Sequence, residues 1–93
     1  MDYDCNGEKS LCEDLLGFRV EEVRTFSEQL IDRKCGMGVT ACAKVNFTTG
    51  VCTIYMPKRA TRETRMHERN HCRGWAHPDY NNTDWFPMED PTK

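Results

Sequence analysis

All three histidines of this chain fall within eleven residues, in the run His67-Glu68-Arg69-Asn70-His71-Cys72-Arg73-Gly74-Trp75-Ala76-His77. On a helix, residues four apart project from one face, one turn apart, so His67 and His71 can offer two imidazole nitrogens to one ion. That separation suits tetrahedral zinc, which binds imidazole nitrogen at about 2.0–2.1 Å. Glu68 is rotated by about 100° from His67, so its carboxylate can approach a water beside the metal without joining the ligands. A helix that simply continued would carry residue 77 away from the ion. Gly74 permits a sharp turn there, because a left-handed backbone costs glycine little. His77 then completes a three-nitrogen site with the fourth position open, which separates a catalytic zinc from a structural one. The expected cofactor is one catalytic Zn²⁺, which lowers the pKa of a bound water and polarises a carbonyl. Glu68 is the expected general base, taking the water's proton and passing it to the leaving amine. A structural zinc with an idle Glu68 is the competing reading.

The elements that must position these groups have to come from a chain of 93 residues, enough for one domain spanning 1–93. Phe18 and Val20 open a β-branched, aromatic run that predicts a strand over about 18–25. Thr25 or Ser27 can cap a helix over about 27–35, with Thr25 and Glu28 spaced as a capping box and Gly36 as the stop. Val39, Ala41, Ala43, Val45 and Phe47 alternate, which predicts a strand over 39–47. Thr48-Thr49-Gly50 reads as a hairpin turn, followed by a returning strand over 51–56 that Pro57 stops. Thr61 caps a last helix running to about Cys72. Leu11 and Leu15 fit a short helix ending near Gly17, whereas residues after His77 are turn-rich and without period. The class is α+β.

Six cysteines in so small a chain predict a disulfide framework made in an oxidising compartment. Three bridges would offset a small core by about 2–4 kcal/mol each. Fifteen pairings are open, and reduced thiols or a second metal cluster are alternatives. A bridge from Cys72 that ties the last helix to the sheet is expected. MDYDCNGEKS has no apolar leader core, so a periplasmic or secreted location implies that a signal was already removed. No run of apolar residues is long enough to span a membrane. A formal net charge of −2 argues against a nucleic-acid partner. Arg62, Arg65, Arg69 and Arg73 form a stripe read as a solvated helix face, with docking of an acidic partner as the alternative. Trp75 and Trp85 are expected to cover the base of the site. Asn46 and Asn81 match glycosylation acceptors.

The segment His67–His77 resembles the zinc signature of the metzincin metallopeptidases, H-E-x-x-H-x-x-G-x-x-H followed by a Met-turn. The resemblance implies His67, His71 and His77 as zinc ligands and Glu68 as general base. It also implies a methionine beneath the metal. Met88 is the only methionine after the motif, eleven residues past His77, a short spacing similar to that of the archaemetzincins. The strand order resembles a trimmed metzincin upper subdomain: a small three-stranded mixed sheet with two to three helices. In it 39–47 would be the antiparallel edge strand and 51–56 the strand leading into the active-site helix. Arg69 and Asn70 depart from the family's usual apolar and small residues, and Pro78 follows the third histidine. Tyr80 lies close enough in sequence to serve as an oxyanion stabiliser, although turn chemistry accounts for it equally well.

These readings converge on a monomeric zinc metallopeptidase. An extended protein or peptide substrate would dock on edge strand 39–47 by backbone hydrogen bonds. The alternative is a non-catalytic, zinc-stapled binding or effector module.

Overall fold

A computed structural model describes residue 5, residues 9–77 and residues 85–89. The described elements start with a turn of 3-10 helix, Lys9–Cys12. It is followed by β1 (Arg19–Thr25), α1 (Glu28–Cys35), β2 (Cys42–Asn46), β3 (Val51–Pro57), α2 (Arg62–Cys72), β4 (Trp75–Ala76) and β5 (Phe86–Pro87). The three-stranded sheet has the order β1-β3-β2. β1 runs parallel to β3 from Arg19 opposite Val51 to Thr25 opposite Pro57. β2 runs antiparallel to β3, with Cys42 opposite Tyr55 and Asn46 opposite Val51. The described residues form a small α+β fold with a mixed sheet and two α-helices, and β2 forms an edge of that sheet.

Local chemistry explains most boundaries. Ser27, not Thr25, caps α1: its hydroxyl accepts from the Leu30 N–H at 3.2 Å. The Thr25 hydroxyl instead accepts from the Ser27 N–H at 2.9 Å, which turns the chain out of β1. Thr61 caps α2 as its spacing predicts, accepting from the Thr64 N–H at 3.2 Å. In the β2–β3 turn, the Asn46 side chain accepts from the N–H groups of Thr48 and Thr49, and Gly50 takes φ +71°. The strand expected over 39–47 is shorter, because ladder pairing covers only Cys42–Asn46.

Two expectations are corrected near the ends of the chain. The helix expected through Leu11 and Leu15 is a single 3-10 turn that stops at Cys12. The Asp14 carboxylate accepts from the N–H groups of Leu16 and Gly17, which draws the backbone away from helical pairing. Leu15 is consequently exposed. Past His77, where no period was expected, Phe86–Pro87 forms a short strand that pairs antiparallel with Trp75–Ala76.

Core packing follows the period of β3. Cys52, Ile54 and Met56 alternate with partly exposed residues and are fully buried. Val20 of β1 and Ala43 and Val45 of β2 pack on them, and so does Cys72 of α2. The disulfides join Cys5 to Cys12, Cys35 to Cys42, and Cys52 to Cys72. The last of these ties α2 to the central strand, as expected for Cys72. A second cluster of Cys5, Leu11 and Trp75 lies against the C-terminal end of α2.

Candidate metal centre

α2 carries His67 and His71 one turn apart, and their ring centroids are 5.0 Å from each other. His77 closes the triangle, 5.2 Å from His67 and 5.1 Å from His71. Zinc–nitrogen bonds near 2.05 Å put each imidazole centroid about 3.2 Å from the ion, and tetrahedral directions then separate the centroids by about 5.2 Å. The observed triangle has that size. One nitrogen from each ring lies within 4.8 Å of one from each of the others, so the three histidines can hold a metal ion.

Gly74 makes the return to His77 feasible. Its φ is +100°, and a Cβ placed there would lie 2.9 Å from Leu15 Cβ and 2.9 Å from Leu16 Cγ. The turn is therefore closed over by the N-terminal segment. Several polar contacts hold that segment in place. The Leu15 N–H donates to the Arg73 carbonyl at 2.7 Å. The Arg73 guanidinium donates to the Leu11 carbonyl at 3.3 Å, and the Trp75 indole donates to the Glu13 carbonyl at 3.1 Å. Sequence patterning gave residues before 18 no part in the site; their role depends on contacts across some sixty positions of chain.

His71 is oriented by the backbone. Its Nδ1 lies 2.9 Å from the Trp75 carbonyl. A carbonyl oxygen only accepts, so Nδ1 carries the proton and Nε2 keeps its lone pair for a metal. Burial, together with the neighbouring histidines, pulls the His71 pKa down to about 4, against a raising effect from the Trp75 bond. Burial first, and His77 second, also lower that of His67. Neutral imidazole is the ligand form, so both shifts favour metal over proton. Glu68 is 7% exposed, and burial pushes its carboxyl up to about 7.

Two adjoining cavities meet at this cluster. One is lined by Val39, Thr40, Ala41, Glu63 and Thr64 together with His67, Glu68 and His77. The other is lined by Ala41, Cys42 and Ala43 with His67, Glu68, His71, His77 and Met88. The cleft thus runs between α2 and the start of the edge strand, and Glu68 belongs to both of its halves. Met88 stands in the cleft wall, and its N–H donates to the Gly74 carbonyl. Trp85 has its ring centroid 5.1 Å from His67, 5.1 Å from His71 and 5.4 Å from His77. Its indole therefore stands about as far from each of the three rings as they stand from one another. Trp75 packs instead on Cys5 and Leu11. Tyr80 lies outside the described residues, as do Pro78, Asp79 and Asn81.

No family model, no curated protein and no solved structure matches this chain.

The arginine stripe of α2 is a solvated face only at Arg62; Arg65, Arg69 and Arg73 are half-buried or buried. Glu22 lies opposite Ile54 in the sheet, on the face that α2 covers. It accepts from Arg65 Nε at 2.9 Å and from Arg69 Nε at 2.8 Å. Arg73 is buried. The two hydrogen bonds and the guanidinium charges hold the Glu22 carboxyl below its ordinary value, even though burial, the largest single influence, works the other way. The Arg69 that departs from the metzincin pattern thus has a partner in β1. Glu22, the half-buried member of the Glu21-Glu22 pair in β1, was the available signal. Asn70 is only 1% exposed, and its amide nitrogen and oxygen have no hydrogen-bond partner among the described residues.

Proposed function

We propose that this protein is a small exported zinc peptidase of trimmed metzincin type, with His67, His71 and His77 as zinc ligands and Glu68 as general base. One observation carries the reading: three imidazoles converge at tetrahedral spacing beside a buried glutamate in an open cleft. When bound there, zinc supplies a Lewis acid for the scissile carbonyl, a lowered pKa for the attacking water, and a charge that draws Glu68 toward its carboxylate form. Glu68 then accepts a proton from that water and delivers it to the departing nitrogen. The Trp75 carbonyl keeps His71 in the required tautomer.

The edge strand supports a peptide as substrate. β2 has β3 on one side, and its other edge pairs with no strand among the described residues. Residues 39–43 line the cleft beside the histidines. An extended chain laid antiparallel along this edge gains backbone hydrogen bonds and brings a peptide carbonyl to the metal. The parallel β1–β3 pair, antiparallel β2 and the helix after β3 agree with a trimmed metzincin upper subdomain. Three disulfides fit an oxidising, extracellular setting. No described helix is long and apolar enough to cross a membrane.

Glu68→Gln tests the mechanism. The variant is expected to bind one equivalent of zinc, by metal analysis after dialysis, and to lose peptide hydrolysis by about 100-fold or more. Unchanged turnover by the variant would rule out Glu68 as the base. Zinc bound by a wild-type protein that cleaves no peptide would leave the zinc-stapled binding module.

A further inference from the structure

We propose that the cavity beside α1 is a substrate subsite that selects a lysine or arginine side chain. The proposal deepens the peptidase reading and rests on it. The cavity has a volume of about 260 Å³, and Ile31, Val39 and Pro57 give it an apolar floor. Glu28 and Asp32, four residues apart on one face of α1, place two carboxylates in the same lining. Neither carboxylate has an ion-pair partner among the described residues. Like charges at that spacing weaken a helix, and a bound cation removes the repulsion. An apolar floor under an acidic rim fits a long basic side chain, whose methylene stem lies on apolar surface while its head reaches the carboxylates.

The cavity continues the cleft. Val39 and Thr40 line both it and the cavity that contains His67, Glu68 and His77. Direction follows from the strand. The cavity lies at residues 38–40, before β2 begins at Cys42. A substrate antiparallel to β2 runs its C-terminal half past these residues. At about 3.3 Å per residue, the basic side chain falls about two to three residues after the cut.

The zinc-loaded full-length protein is incubated with a random peptide mixture, and cleavage sites are read by mass spectrometry. Lysine or arginine enriched at the second or third position after the cut is the expected result. Matched peptides carrying arginine or norleucine there should differ about tenfold in kcat/KM, the scale of a charge-assisted contact. In the Glu28→Gln/Asp32→Asn double variant that ratio should collapse toward one. No basic preference, or a ratio the variant does not change, overturns the subsite and leaves the peptidase reading standing. If wild type cleaves nothing, the peptidase reading fails, and the cavity is tested by fluorescence anisotropy of the same two labelled peptides. Tighter binding of the arginine peptide, lost in the double variant, supports the cavity as a basic-residue site; equal binding overturns it.

Discussion

Glu68 and His71 share one cleft, and burial moves their proton affinities in opposite directions. In the metal-free protein His71 stays neutral where the unfolded chain would bind a proton. Its contribution to stability is complete above the ordinary imidazole value of 6.5 and is lost as pH falls toward about 4. Glu68 keeps its proton where the unfolded chain would release it. Its contribution is complete below 4.5 and is lost as pH rises through about 7. Glu68→Gln removes only the second dependence. With chelator present, the variant is expected to exceed wild type in stability at pH 8 by of order 2–3 kcal/mol. The gap should close toward pH 4. Urea unfolding at the two pH values checks this, and a gap independent of pH would show that burial does not hold Glu68 protonated.

At the scale of elements, α2 is fixed on three sides. Cys72 bonds it to β3, Glu22 of β1 grips Arg65 and Arg69, and the segment before residue 18 closes over its C-terminal turn. Gly74 is where this matters most for the site. An alanine there would have to hold φ +100° and also push aside Leu15 and Leu16. Gly74→Ala is expected to cost at least about 1–2 kcal/mol from the backbone alone. It should also weaken zinc binding by more than tenfold in a competition titration, because His77 follows the displaced turn. Gly36→Ala is the control: its φ is +103°, but nothing lies within 4 Å of the added Cβ. That variant should lose stability and keep its zinc affinity. Equal zinc affinity in the two variants would mean that the turn does not aim His77.

At the scale of the whole molecule, a radius of gyration of 12.8 Å leaves room for only a small core, with Cys52, Ile54, Met56 and Cys72 at its centre. The Cys52–Cys72 bridge spans 20 residues, whereas the other two span 7 each. Closing the longer loop restricts the unfolded chain by about 3 kcal/mol in the chain-entropy model. Replacing both residues by alanine should therefore lower the melting temperature by more than about 10 °C, given a shift of about 4–8 °C per kcal/mol in a domain this size. Replacing Cys35 and Cys42 should cost less. Calorimetry decides, and an equal or reversed ranking would show that loop length is not what these bridges contribute.

The three-histidine cluster, the glutamate beside it and the turn were all legible in the sequence, because helix period and glycine freedom are local properties. Alternation likewise placed β1 and β3, and a hydroxyl before each helix marked the caps. What surrounds the site was not legible. Which cysteines pair, that Glu22 answers Arg69, that Trp85 stands against the three rings, and that Leu15 and Leu16 close over Gly74 all depend on contacts between residues far apart in the chain. Local patterning carries no record of such contacts. The proton state of Glu68 belongs with them, since burial is set by everything packed around a group. The sequence by itself determined which atoms can face a metal; the tertiary structure decided how they are held, how dry they are and what cleft they open onto.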